Sequence, residues 1–182
     1  MKRLRVLRLA GAGLLLAGLF ILAGCHKPAP ASPPPSPPEG AISFALNEAQ
    51  PKLPTIRLWL GSEQMDAEKC VTPQQIETGM MFRKSMGEND GMIFSLGSPQ
   101  QASFWMKNCF VPLSVAYINP DGVIEEIHPL EPQNTTPVLA ATNNILFALE
   151  TPQGWFDRHH VTTGMVVRTD KGSLMEAFSQ RQ

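Results

Sequence analysis

Seven of the fourteen residues from Lys27 to Gly40 (KPAPASPPPSPPEG) are proline, and that run decides how the rest of the chain can be organised. Proline fixes φ and carries no backbone N–H, so at this density neither a helix nor a paired strand can form. The segment reads as a spacer in the polyproline II conformation, reaching on the order of 40 Å at about 3.1 Å per residue. It leaves residues 42–182 as the folded part, enough for one domain around one core.

What precedes the spacer reads as an address. Lys2, Arg3, Arg5 and Arg8 form a basic start, and Leu9 to Leu22 is an uncharged apolar run. That run is the length of a signal core and too short to cross a bilayer comfortably. Leu22-Ala23-Gly24-Cys25 then resembles a bacterial lipobox, which implies cleavage before Cys25 and its acylation. Residues 1–24 are therefore expected to be a lipoprotein signal peptide, and residues 25–41 the anchor cysteine with its linker. Two or more acyl chains give stable anchoring, so the expected place is the bacterial cell envelope, outside the cytoplasm. His26, where no Asp signals retention, favours the outer over the inner membrane. Losing the four N-terminal bases leaves 11 of 15 basic residues against 16 acidic ones. No nucleic-acid partner is expected from that balance.

Along the folded part, Leu53 to Leu60 alternates as a first strand after Pro51 and Pro54. Thr72-Pro73-Gln74-Gln75 reads as a helix start, with Thr as cap, Pro at the first position and Gln three residues later. That helix is expected to end between Gly79 and Phe82. Strands follow at Met92–Leu96, Ala102–Lys107, Leu113–Asn119, Val123–His128, Ile145–Leu149 and Gly164–Thr169. Asn119-Pro120-Asp121-Gly122 is a hairpin turn. Glu131 to Asn144 reads as a polar loop, and Pro152 to His159 as a helix of one or two turns. Many short strands and two short helices predict a mostly β fold, a compact small barrel or sandwich.

Gly79-Met80-Met81-Phe82-Arg83, Gly91-Met92-Ile93-Phe94, Ser103-Phe104-Trp105-Met106-Lys107-Asn108 and Pro112-Leu113, in that order, resemble the domain of unknown function 192 family. Tyr117-Ile118, Asp121-Gly122 and Leu149-Glu150 with Gly154 fit the same pattern. The resemblance spans Ile56 to Arg168. It implies a small, mostly β domain, often exported, and brings no established chemistry. Cys109 stands where Thr is usual in that pattern, Ser114 where Asp is common, and Met165 where Asp is frequent. Asp66 to Val71 reads as an insertion before the helix.

The candidate site is a ligand-binding group of Arg83, Trp105, Lys107 and Asn108. In an alternating strand Trp105 and Lys107 share one face, and Phe104 and Met106 the other. An indole beside an ammonium and an amide suits a small anion or a sugar, with Arg83 joining the rim by folding. The structural alternative places Phe104 and Met106 in the core and pairs Lys107 with an acid such as Glu150. Cys70 and Cys109 could form a disulfide in an oxidising compartment, or be two unrelated buried thiols. His26, His128, His159 and His160 show no HxH, HExxH or CxxC companion spacing, and the methionines no MxxM repeat, so no metal and no cofactor is expected. His159 and His160 read as a helix C-terminal cap. No catalytic residues stand out. The leading reading is a membrane-anchored, non-enzymatic binding module for a small anionic or carbohydrate ligand. An enzyme acting on an envelope polymer is one alternative. The other is a scaffold binding an envelope protein through a strand edge or the Trp155-Phe156 pair.

Overall fold

The structure, a computed structural model, describes residues 48–179. The signal peptide, Cys25 and the proline spacer expected above lie outside the described residues. In chain order the elements are β1 (Thr55–Leu60), β2 (Glu63–Cys70), α1 (Pro73–Thr78), β3 (Asp90–Gln100), β4 (Ser103–Phe104), β5 (Leu113–Ile118) and β6 (Ile124–Leu130). They continue as β7 (Val138–Leu139), β8 (Ile145–Pro152), α2 (Trp155–Arg158), β9 (Val167–Thr169), β10 (Gly172–Ser173) and α3 (Leu174–Ser179).

Eight strands form one sheet in the order β10-β9-β1-β2-β3-β8-β5-β6, and β4 with β7 form a separate two-stranded sheet. Within the large sheet only β2 and β3 run parallel. That pair needs a crossover, and α1 with the loop after it supplies one. The sheet is mixed and not closed, so the barrel expectation gives way to a sandwich-like arrangement. One bridge, Val123 to Val166, links the two ends of the sheet. With β9 and β10 only three and two residues long, that far edge is too short to carry a ladder against β6.

Apolar side chains fill both faces. On one, Leu58, Met65, Ile93, Ala116, Phe147 and Leu149 meet Trp155 and Phe156 of α2 and Leu174 and Ala177 of α3. On the other, Met92, Phe94, Val115, Tyr117 and Ala148 meet Met80 and Met81 after α1, with Met106, Cys109 and Ala140. The period-2 alternation of a strand explains the split, since Met92, Ile93 and Phe94 go to opposite clusters in turn. With both faces covered, β5 is buried throughout and β8 through Thr151, so they read as apolar runs.

Helix α1 begins as the sequence indicates. The Thr72 hydroxyl accepts from Gln75 N–H at 3.2 Å, and the Gln75 side chain accepts from Thr72 N–H at 3.1 Å, a reciprocal capping box. Gly79 ends it at φ 45° and ψ −127°, a conformation open to glycine. Gly91 serves a different end. A Cβ there would lie 2.8 Å from Met65 Sδ and 3.2 Å from Leu149 Cδ1, so a larger residue would have to displace both side chains.

Four expectations need correction. The insertion around Asp66 is strand β2, whose charges hid it. Asp66 is bonded to Arg57 at 2.7 Å, Glu68 to Arg83, and Lys69 sits 4.6 Å from the Phe178 ring centre. The strand expected over Ala102–Lys107 is two residues long, because the chain turns at Lys107-Asn108. The loop Glu131 to Asn144 contains β7. A third helix, α3, follows Ser173, whose hydroxyl accepts from Glu176 N–H while the Glu176 carboxylate accepts from Ser173 N–H.

Candidate functional site

Strand β8 reads ILFALETP, and its one ionisable residue faces the core. Glu150 pairs across the sheet with Met92 on one side and Val115 on the other, so its side chain joins their face. Only 4% of Glu150 is exposed. Its Oε2 is buried with no hydrogen-bond partner, and none of the hydrogen bonds among the described residues reaches its carboxyl. An isolated buried carboxylate is costly, and the group responds by holding its proton. Burial raises the Glu150 carboxyl to about 8, from an ordinary value of 4.5.

The buried side chain lies next to open space. A cleft of about 320 Å³ opens over it, within the size range of small-molecule sites. Gly79, Met80 and Met81 form one wall, Phe94 contributes from β3, and Phe104, Trp105 and Cys109 form the other. Trp105 is 42% exposed, so its indole offers a face to the cleft. The acidic residues that line it are Glu77 at the exposed rim and Glu150 at the floor, and among the described residues no Lys or Arg lines it.

The expected site residues are distributed differently from the sequence reading. Trp105 lines the cleft. Lys107 is exposed, with Nζ 5.4 Å from the Trp105 ring centre. These two do come together, while Phe104 and Met106 point inward. Lys107 does not pair with Glu150, which has no partner at Oε2. Asn108 acts through its backbone: it turns the chain at φ 58°, and its carbonyl accepts from Phe82 N–H at 2.8 Å. Arg83 is engaged elsewhere. Its guanidinium donates to both Glu68 oxygens at 2.7 and 2.8 Å, with side chains 17% and 10% exposed. Arg83 is therefore no part of a cationic rim around Trp105.

Cys70 and Cys109 are free in the structure, both buried. Burial, then the nearby Glu150, pushes the Cys109 thiol up to about 12 and raises Cys70 further. Burial therefore favours the neutral thiol at both positions. His128 bonds Glu126 at 2.8 Å and lies beside Tyr117. His159 caps α2 but turns its ring to carboxylates, bonding Glu63 at 2.7 Å, and stacks on Trp155 at 4.2 Å. Trp155 and Phe156 are 0% and 1% exposed, which removes them as a partner patch.

A second cleft, about 400 Å³, lies between Ser114, Ile127 and Asp157. The Ser114 hydroxyl there already accepts from Gly154 N–H at 3.0 Å. The Glu150 cleft holds the unpartnered buried group, and that decides between them.

Glu150 is not among the site residues that the sequence suggests, although it falls within the family pattern. The available signal was a lone carboxylate inside an apolar strand run, the kind of conflict that marks function.

Fold and cleft define a class: a sandwich-like mixed β domain with a buried acid beneath a small pocket. The chain belongs to the domain of unknown function 192 family, described as "Uncharacterized ACR", whose family model matches residues 57–169. Two solved structures are similar. One, from Sinorhizobium meliloti 1021, carries a provisional description as a transcription regulator. It is 29% identical, with TM-score 0.59, over 63% of this chain and 92% of that one. The other, a protein of unknown function from Novosphingobium aromaticivorans DSM 12444, is 27% identical, with TM-score 0.58, over 71% of this chain and 99% of that one. No curated protein matches the chain.

Proposed function

We propose that the protein is a membrane-anchored domain of the cell envelope that binds a small ligand in the Glu150 cleft. The observation that carries this reading is Glu150 itself, buried, unpartnered and at the floor of an accessible pocket. Among the described residues nothing hydrogen-bonds its carboxyl, and a side chain that costs stability without a structural return points to binding. Of the two ligand classes the sequence suggests, an anion would meet the Glu77 carboxylate at the rim and no Lys or Arg among the described lining residues. A hydroxyl-bearing, carbohydrate-like ligand fits better, with donors for the carboxyl and a flat face for Trp105.

The enzyme reading has one point in its favour, because a carboxyl raised to about 8 suits a general acid. It also needs a base or nucleophile across the cleft. The other ionisable side chains lining the cleft are the exposed Glu77 and the neutral thiol of Cys109, so binding is the better reading. Regulation of transcription, raised by the description of the Sinorhizobium protein, would need a basic face that a mature chain with excess acid does not supply.

Two measurements test this. Trp105→Ala, at a half-exposed position, should change stability by about 0.5 kcal/mol or less yet abolish ligand-induced thermal shifts in a screen of sugars and amines. Equal shifts in both proteins would remove the cleft as the site. Cys25→Ser should abolish incorporation of labelled palmitate into the protein in growing cells; label retained by the variant would refute the lipid anchor at Cys25.

A further inference from the structure

The charges around the cleft narrow the ligand further, given that the cleft is a binding site at all. Its floor is a carboxyl with one oxygen lacking any partner, and its rim carries a second carboxylate, Glu77. Its walls present the rings of Phe94, Phe104 and Trp105. Acid below and aromatic faces beside is the environment that recognises ammonium groups. Lys107 already places its ammonium over the Trp105 ring from outside the cleft, so that indole is a surface a cation accepts.

We propose that the Glu150 cleft selects a small organic cation: a protonated primary amine whose ammonium donates to the Glu150 carboxylate and whose flat or apolar body packs on Trp105 and Phe104. An amino sugar and a cyclic aliphatic amine share that chemistry. The proton balance is simple. At neutral pH Glu150 enters as the acid and the ligand as the ammonium ion. Pairing leaves a carboxylate, the ammonium keeps its proton, and one proton goes to solvent. The groups facing Glu150 do not compete for this role. Cys70, Cys109 and Tyr117 are all pushed upward by burial and stay neutral.

The test is calorimetric titration of the full chain in detergent at pH 6.5, in two buffers of different protonation enthalpy. The probes are cyclohexylamine against cyclohexanol, and glucosamine against glucose. The expected result is that at least one amine binds about tenfold or more tightly than its neutral counterpart. It should release close to one proton, and the isosteric Glu150→Gln should lose both effects. Which amine wins tells the sugar source from the aliphatic one. Neutral and amine probes binding equally would overturn the cation inference and leave the cleft reading standing. Amine binding that survives Glu150→Gln overturns it too. If no probe binds the wild type, both readings fall. Trp105→Ala, at a surface position, guards against a folding defect in the floor variant.

Discussion

Between pH 4.5 and about 8 the wild-type protein is expected to lose stability relative to Glu150→Gln, at about 1.4 kcal/mol per pH unit and on the order of 5 kcal/mol across the window. The sign follows from where the proton sits. In the unfolded chain Glu150 is solvated and ionises at an ordinary carboxylate value, whereas in the fold burial keeps it protonated up to about 8. Across that interval the folded state holds one proton more, so stability falls as pH rises. The contribution is whole below pH 4.5 and gone above about pH 8. Other acids work in the opposite sense and in another range. Hydrogen bonds from His159, Arg57 and Arg158 hold Glu63, Asp66 and Glu88 below the usual carboxylate range. Their contribution is lost as pH falls below about 4.5. Urea unfolding of both proteins across pH 4 to 9 separates the two, because only the difference curve reports Glu150. Parallel curves would mean that water or a partner already solvates the carboxyl.

Arg83→Ala is expected to cost about 3 kcal/mol and to leave ligand binding in the cleft unchanged. The guanidinium closes both oxygens of Glu68 at 10% side-chain exposure. Removing it strands a carboxylate that Leu53 N–H alone, at 2.7 Å, continues to serve. The pair holds the chain before β1 and the turn after α1 onto β2, since Arg83 also reaches the Pro51 carbonyl. Replacing both partners by apolar residues, Arg83→Met with Glu68→Leu, should recover most of the loss, because the cost lies in the unpaired charge. Urea unfolding of the single and double variants checks this. A cationic ligand role for Arg83 predicts the reverse, with unchanged stability and weakened binding.

The contrast between these two residues shows what the sequence could and could not convey. Helix α1 was legible because Thr72, Pro73 and Gln75 are local signals read by their nearest neighbours. The hairpin at Asn119 to Gly122 was legible for the same reason: the Asn119 side chain accepts from Asp121 and Val123 N–H, both at 3.0 Å. Strand β2 was not, because Asp66 and Glu68 are paired with Arg57 and Arg83 and Lys69 lies over the Phe178 ring, partners that only the fold brings near. Helix α3 could have been found, since Ser173 and Glu176 stand at capping-box spacing. The site divided along the same line. Trp105 and Lys107 stand two residues apart, so strand alternation alone brings them together, whereas the partner of Arg83, Glu68, is brought near only by the fold. The opening of the cleft over Glu150 depends on Gly79 to Met81, Phe104 and β8 meeting, which no single stretch encodes.

The central claim is that Glu150 is a buried, unpaired acid facing an open cleft. Carbon-13 NMR titration of its side-chain carboxyl in the full chain, assigned by comparison with Glu150→Gln, reads that state directly. A midpoint near 8 that falls when an amine ligand is added is the predicted result. A midpoint near 4.5, the value of a hydrated carboxyl, would contradict the account and with it the binding site built on this residue.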